Sequence, residues 1–144
     1  MAEIKIENNN TDNILDALKE ATHNALLDVG MIASGDIIDF ITDRGIVDTG
    51  LLGNSITFAL NGESANISSY KSNPTDKNGK PVPTVEGSYN GKAPNKENTV
   101  YIGTNVEYAK YVQYGTSKMK KRDFMFAPLR ANMDEYRNII KKYL

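Results

Sequence analysis

Apolar residues in the first third of the chain recur at the spacing of an α-helix. From residue 11 or 12 to about Asp43 they fall every three or four positions, which places them on one face of a long helix. Gly30 and Gly35 each cost such a helix about 1 kcal/mol relative to alanine, and we expect a bend or a close backbone approach there. The stripe comprises Ile14, Leu15, Leu18, Ala21, Ala25, Val29, Ile32, Ala33, Ile37 and Phe40.

The middle of the chain carries strand patterns. Residues 55–60 and 65–70 flank Asn61-Gly62, which is the strongest short signal for a β-hairpin. A third β-branched and aromatic run covers Thr99 to Ile102. We therefore expect a mostly antiparallel sheet of at least three strands.

A short middle helix is predicted directly after this third run. Thr104 and Glu107 have the spacing of a capping box, in which each side chain bonds the backbone N–H of the other residue. Gly115 is placed to end the helix in a left-handed conformation. The apolar arc of this helix comprises Val106, Tyr108, Ala109, Tyr111 and Val112.

A last helix is predicted from about Phe126 to Tyr143, with Pro128 in its first turn. The elements together predict a single α/β domain of the α+β type over residues 1–144. In it, a long N-terminal helix and a C-terminal helix pack a small, mostly antiparallel sheet, beside a short middle helix. We expect residues 1–11 to be a frayed terminus and residues 71–98 to form a long flexible loop, because that segment contains four of the five prolines and few aliphatic residues.

Composition excludes several classes of protein. The chain has no cysteine, so disulfides and thiolate metal sites are excluded. No apolar run approaches the ~20 residues of a membrane span, and the first ten residues lack the pattern of a secretory signal. We therefore expect a protein that is made in a cytoplasm and has no membrane partner.

Charge is distributed unevenly along the sequence. Residues 1–70 carry 3 basic and 11 acidic side chains, whereas residues 116–144 carry 8 basic and 3 acidic ones. Either the two parts neutralise each other within one monomer, or an acidic face of one copy meets a basic face of the next.

Candidate catalytic chemistry is sparse. The turn motif Asp48-Thr49-Gly50 resembles the local signature of aspartic proteases, in which two carboxylates share a proton, and a homodimer could supply the pair. The competing interpretation is a turn that positions the apolar residues after it. His23 is expected at the surface, and the carboxylates of the first helix have no histidine at ligand spacing, so neither a metal nor a cofactor is predicted.

The basic turn, Lys118-Met-Lys-Lys-Arg122, has three interpretations. Lys118, Lys120, Lys121 and Arg122 are either simply solvated, or contact a protein partner, or contact nucleic acid. Tyr108, Tyr111 and Tyr114 could form a base-stacking platform, but a core or subunit-interface role explains the apolar arc better. We treat these seven residues as a candidate assembly interface.

Two blocks of the sequence resemble a known family. Tyr-Ile-Gly-Thr-Asn-Val-Glu-Tyr-Ala-Lys-Tyr-Val-Gln-Tyr-Gly-Thr-Ser, residues 101–117, is followed by Met119, Arg122, Phe124 and Pro128. This block, together with Val-Asp-Thr-Gly-Leu-Leu-Gly-Asn-Ser-Ile at residues 47–56, resembles the tail-completion or head–tail joining proteins in the neck of long-tailed bacteriophages. The resemblance covers most of residues 12–144. Asp123 departs from it, since a proline is expected there.

The resemblance implies a structural virion protein rather than an enzyme, with no cofactor. Such proteins form rings, expected to be hexameric, that join the tail to the DNA-filled head. The implied partners are further copies of the chain, a head-completion or connector protein, the tail tube protein and the DNA in the lumen. The chain would be assembled in the host cytoplasm and could stay monomeric until it meets its partner. A nucleic-acid-binding module is the alternative function, and a protease using Asp48 is the third.

Overall fold

The computed structural model describes residues 11–46 and 50–144, which form five helices and four strands. The elements are α1 (Thr11–Asp43), α2 (Leu51–Ser55), β1 (Thr57–Leu60), β2 (Ser69–Ser72), β3 (Val85–Ser88), β4 (Val100–Gly103), α3 (Ala109–Tyr114), α4 (Phe126–Ala131) and α5 (Met133–Tyr143). This arrangement confirms the predicted α+β fold with a long N-terminal helix. Of the frayed terminus predicted for residues 1–11, only Thr11 belongs to the described residues. Asp48 and Thr49 of the turn motif also lie outside them.

Helix α1 has the predicted length but buries only part of its apolar stripe. Its central and C-terminal turns pack against β1, β4, α4 and α5. The buried positions are Ala25, Val29, Ala33, Ile37 and Ile41. The first turns of α1 extend beyond this packed region, and their apolar side chains are exposed.

The strands form two separate two-stranded sheets, so the predicted hairpin is wrong. Strand β1 pairs antiparallel with β4, with Phe58 opposite Ile102 and Leu60 opposite Val100. The chain does turn at Asn61-Gly62, but residues 65–68 form no strand. Because β1 packs on α1, its partner must supply apolar residues on the same face. Val100 and Ile102 meet this requirement, since both pack against the cluster around Val29 and Ala33.

Residues 69–98 form an arm that contains regular structure. Strand β2 pairs antiparallel with β3, and Thr75 forms a bridge with Pro81. This hairpin replaces the single irregular loop that was predicted for residues 71–98. The mobility expected of that segment stays a prediction.

Helix α5 lies along α1 and is tied to it by two tyrosines. The Tyr136 hydroxyl donates to the Asp36 carboxylate at 2.6 Å, and the Tyr143 hydroxyl donates to Asp28. Asp28 and Asp36 therefore belong to the contact between α1 and α5. The predicted last helix is present but is interrupted at Asn132, which separates α4 from α5.

The two glycines of α1 have different surroundings, which predicts opposite effects of alanine. A Cβ at Gly30 would lie 2.5 Å from Cδ2 of the buried Phe58 ring, whereas a Cβ at Gly35 would meet nothing within 4 Å. Gly35→Ala is expected to raise the free energy of unfolding by up to about 1 kcal/mol through helix propensity. Gly30→Ala is expected to lower it by about 1–3 kcal/mol because the ring must move. Urea denaturation of both variants measures this difference in sign, and equal stabilisation would contradict the close approach.

Candidate functional site

The basic turn is held by hydrogen bonds at its start and its end. Gly115 ends α3 at the predicted position, but its φ of 77° and ψ of 176° lie outside the left-handed helical region that was expected. The Thr116 hydroxyl accepts from two backbone N–H groups of the turn at 3.2 and 3.0 Å, and the Arg122 N–H donates to the Val112 carbonyl at 2.8 Å. The exposed side chains of this ordered turn are Lys118, Lys120, Lys121 and Arg122.

Asp123 connects the turn to α4. Its carboxylate accepts hydrogen bonds from the Gln113 amide and the Arg130 guanidinium, both at 2.7 Å. It also accepts from the backbone N–H groups of Phe126 and Ala127 at 3.0 and 3.3 Å. The hydrogen bond from Gln113 is the largest of the four effects that lower the pKa of the Asp123 carboxyl. Together they hold this pKa at about 2, although partial burial acts to raise it. Asp123, which stands where a proline was expected, therefore accepts hydrogen bonds from backbone N–H groups that have no partner within the first turn of α4.

Asp123→Asn is expected to lower the free energy of unfolding by roughly 1–2 kcal/mol at pH 7. Because the pKa of the carboxyl is depressed on folding from 3.8 to about 2, its charge stabilises the fold above pH 4. That contribution is lost as the pH falls from 4 to 2, so wild type and variant should converge there. Urea denaturation across this range measures the convergence. The exposed carboxylate of Glu97 supplies the control, since Glu97→Gln should change stability little at any pH.

Four cationic side chains surround one cleft, which we call the basic cleft. Arg44, from the turn after α1, meets Lys120, Lys121 and Arg122 around a cavity of about 440 Å³. The Arg44 guanidinium lies 4.1 Å from the centroid of the Phe40 ring, and the Arg122 guanidinium donates to the Ile46 carbonyl at 2.7 Å. Phe40 and Ile46 also line the cleft, but Ile46 is buried and Phe40 lies beneath the Arg44 guanidinium, so the accessible surface of the cleft is mainly cationic.

Sequence reasoning missed Arg44 as a member of this group. A signal was present, since an arginine four residues after an aromatic residue lies over it on a helix. What the sequence could not supply was the return of residues 120–122 to the same place, because 76 positions separate the residues joined by the Arg122–Ile46 hydrogen bond.

The three tyrosines of the candidate interface do not form one surface. Tyr108 is partly buried and packs against the main core. Tyr111 and Tyr114 are exposed, by 49% and 69%, and the Lys110 ammonium lies 5.0 Å from the Tyr111 ring centroid. The structure therefore leaves two exposed tyrosines on α3 and gives the third a packing role.

The predicted capping box is not formed, because α3 begins only at Ala109. Thr104 instead contacts the Ser55 hydroxyl at 2.6 Å and accepts from the Val106 N–H at 3.1 Å. Glu107 lies in the turn before the helix and is exposed. Thr104 therefore joins α2 to the end of β4 rather than starting a helix.

Two tyrosines that the sequence did not single out fasten the arm to this junction. The Tyr89 hydroxyl donates to the Ser55 carbonyl and accepts from the Asn105 N–H at 3.3 Å. The Tyr70 hydroxyl donates to the Asn105 side-chain oxygen at 2.5 Å, and the Asn105 amide donates to the Ser88 carbonyl at 2.8 Å. Burial raises the pKa of Tyr89, so its hydroxyl remains a donor at neutral pH.

Of the turn motif, only Gly50 is described. It has a φ of 74° and directly precedes α2, whose residues Leu51 and Leu52 are buried. This position agrees with a turn that directs apolar residues into the core. The protease hypothesis for Asp48 stays a prediction, which an assay of Asp48→Asn for lost proteolysis would test.

The first turns of α1 form a second unusual surface, which we call the exposed helix end, residues 12–20. Every one of these residues is exposed. Ile14, Leu15 and Leu18 are exposed by 58%, 49% and 50%, and the helical period places Asp16 and Glu20 on the opposite face of the same turns. His23 lies three residues after this segment. Its ring is exposed, as predicted, and lies 3.8 Å from the Glu63 carboxylate. Three large apolar residues within five positions are uncommon on a free helix surface.

The remaining chemistry of the described residues is limited. Residues 11–46 and 50–144 contain no cluster of three or more potential metal-ligating side chains. Within the same ranges, no helix combines the length and hydrophobicity that crossing a lipid bilayer requires. The fold and its surfaces thus define an α+β protein with a basic cleft and an exposed apolar helix end. No known protein family, curated protein or solved structure matches the chain.

Proposed function

We propose that the chain is a structural subunit of a bacteriophage neck, where copies form a ring that joins the tail to the DNA-filled head. The resemblance of residues 47–56 and 101–117 to head–tail joining proteins motivates the proposal. It implies as partners a head-completion or connector protein, the tail tube protein and DNA in the lumen of the ring. The site of action would be the head–tail junction of the virion.

The exposed helix end is the observation that carries this proposal. Ile14, Leu15 and Leu18 are about half exposed, so each forgoes a large part of the about 1.5–3 kcal/mol that full burial of such a side chain provides. The same chain buries the equivalent positions Ala25, Val29 and Ile37 farther along α1. A subunit that meets other chains through this surface accounts for the difference.

Nucleic-acid binding is the second candidate, and the basic cleft favours it. Arg44, Lys120 and Lys121 could each neutralise a phosphate, and affinity would then fall steeply with salt. The opposing observation is the acidic first half of the chain, which leaves the whole protein at a net charge of −1. A gel shift with duplex DNA over a salt series separates this candidate from an assembly subunit.

Removing the gene from the virus that carries it tests the proposed function. The proposal predicts that such a virus accumulates DNA-filled heads and complete tails that remain separate in electron micrographs. Supplying the wild-type chain from a plasmid should restore joined, infectious particles.

The control is a plasmid carrying Lys77→Glu/Lys80→Glu, a double charge reversal of exposed lysines on the arm. It should restore joined particles as the wild-type plasmid does. Joined and infectious particles in the complete absence of the chain would overturn the proposed function.

A further inference from the structure

The basic cleft concentrates positive charge that the fold does not neutralise. Its lining carries four cations and one carboxylate, that of Asp123. This carboxylate already forms an ion pair with Arg130 at 2.7 Å and accepts from the Gln113 amide at the same distance. Within residues 11–46 and 50–144, none of the four cations forms an ion pair with a carboxylate. Like charges gathered around one cavity repel one another, so a bound anion stabilises this arrangement.

Two of the four cations are held in place by the fold. The Arg122 guanidinium donates to the Ile46 carbonyl at 2.7 Å, and the Arg44 guanidinium lies 4.1 Å from the centroid of the Phe40 ring. A guanidinium has five N–H donors; the bond to Ile46 uses one donor of Arg122, and the contact with the ring uses none of Arg44. Both arginines therefore keep donors in the planar arrangement that matches the oxygens of a phosphate group.

The two lysines project from a backbone that is also fixed. The Thr116 hydroxyl accepts from two N–H groups of the basic turn, and the Arg122 N–H donates to the Val112 carbonyl at 2.8 Å. The side chains of Lys120 and Lys121 are exposed, so they add positive charge to a cleft whose walls are already ordered. A site that is ordered in advance loses less entropy when a ligand binds.

The surroundings of the cleft favour a compact anion over an extended one. Arg44 and Phe40 also line an adjoining groove that carries the carboxylates of Asp36, Asp39 and Asp43. Duplex DNA carries one negative charge per about 1.7 Å of helix axis, so a duplex that continued across Arg44 would place phosphates against these carboxylates. The cavity of about 440 Å³ lies instead in the size range of small-molecule sites.

We propose that the basic cleft binds a compact phosphate, either inorganic diphosphate or the terminal phosphates of a nucleotide. Arg44 and Arg122 donate hydrogen bonds to its oxygens, and Lys120 and Lys121 contribute charge. The bound anion joins the end of α1 to the basic turn, so it stabilises the folded chain in proportion to its occupancy. This inference goes beyond the proposed function and does not depend on it, because a subunit that joins heads to tails needs no such ligand.

Isothermal titration calorimetry of the full chain at physiological salt tests the ligand class. The probes are inorganic diphosphate, inorganic phosphate, a nucleoside triphosphate and a short DNA duplex. We expect one site per chain, with diphosphate and the triphosphate bound more tightly than phosphate and more tightly than the duplex. A triphosphate that binds more tightly than diphosphate identifies a nucleotide as the ligand, whereas equal affinities identify the inorganic group.

Substitutions at the cleft test which residues hold the anion. Lys120→Gln/Lys121→Gln and Arg44→Gln should each weaken diphosphate binding at least about tenfold. Arg44→Lys keeps the charge but loses the planar arrangement of donors, so it should not restore wild-type affinity. Because these side chains are exposed, melting followed by circular dichroism without ligand should match wild type. Lys77→Gln/Lys80→Gln makes the same charge change on the arm as the lysine pair and should leave binding unchanged.

Three results would overturn the assignment. They are no heat of binding from diphosphate or the triphosphate at millimolar concentration, cleft variants that bind as wild type does, and a duplex that binds far more tightly than either compact anion and is lost from the same variants. The last result would assign the cleft to nucleic acid. None of the three decides the proposed function, because that is judged by whether heads and tails join in the virus.

Discussion

Phe124→Ala is expected to lower the free energy of unfolding by about 3–5 kcal/mol. Phe124 is 1% exposed and is the largest fully buried side chain among the described residues. It belongs to the main core, with residues from α1, α2 and α3 that include Ile37, Leu52 and Val112. Removing its ring leaves a cavity at the place where the turn after α3 joins the long helix. Since a domain is typically stable by only 5–15 kcal/mol, the variant should be close to unfolding.

Phe126, two positions away, supplies the matched control. It is 44% exposed, so Phe126→Ala removes a ring that is already nearly half in water and should cost clearly less. Urea denaturation of both variants, with equal m-values as a check on two-state behaviour, measures the difference. Similar losses from the two substitutions would contradict the described core.

Gly115→Val is expected to destabilise the fold by about 3 kcal/mol or more. Gly115 has φ 77° and ψ 176°, a region that is essentially restricted to glycine and costs other residues about 1–3 kcal/mol. In addition, a Cβ there would lie 2.6 Å from the Lys121 backbone nitrogen and 2.9 Å from the Met119 carbonyl oxygen. Because both atoms are backbone, relief requires the basic turn itself to move.

Gly91→Val separates the two causes of this loss. Gly91 also has a positive φ, of 81°, but its Cβ would meet nothing within 4 Å. Its substitution should therefore cost only the backbone strain, and the melting temperature should fall less than for Gly115→Val. An unchanged melting temperature in Gly115→Val would show that the glycine is not required at the end of α3.

Features that depend on neighbouring residues in the sequence were predicted well. The period of the apolar residues fixes α1 from Thr11 to Asp43, and glycine marks the end of α3. Pro128 lies in the first turn of α4, as its missing N–H favours. Each of these conclusions needs only the chemistry within a few residues of the chain.

Features that depend on distant residues were predicted poorly. Asn61-Gly62 turns the chain as expected, but the partner of β1 is β4, about forty residues later, because Val100 and Ile102 face α1 as Phe58 does. The Thr104 hydroxyl had a competing partner in Ser55 that the local capping pattern cannot reveal. In both places a tertiary contact took precedence over a sound local signal.

The exposure of the residues in the candidate interface was predicted in part. The exposed lysines of the basic turn lie at the surface, but Tyr108 packs inward, and Arg44 completes the cleft from a distant turn. The apolar stripe of α1 was read as one continuous face, whereas the fold covers only its later turns. Sequence periodicity shows that a face is apolar, but it does not show whether the same chain or another covers it.

A cryo-electron microscopy reconstruction of the virion neck tests the proposed function most directly. We expect a ring of copies of this chain between the portal end of the head and the first tail disc, enclosing a passage wide enough for duplex DNA. Helix α1, a rod of 33 residues and about 50 Å, should be recognisable in each subunit. A neck whose density is fully accounted for by other chains, in purified particles that lack this protein, would contradict the proposal.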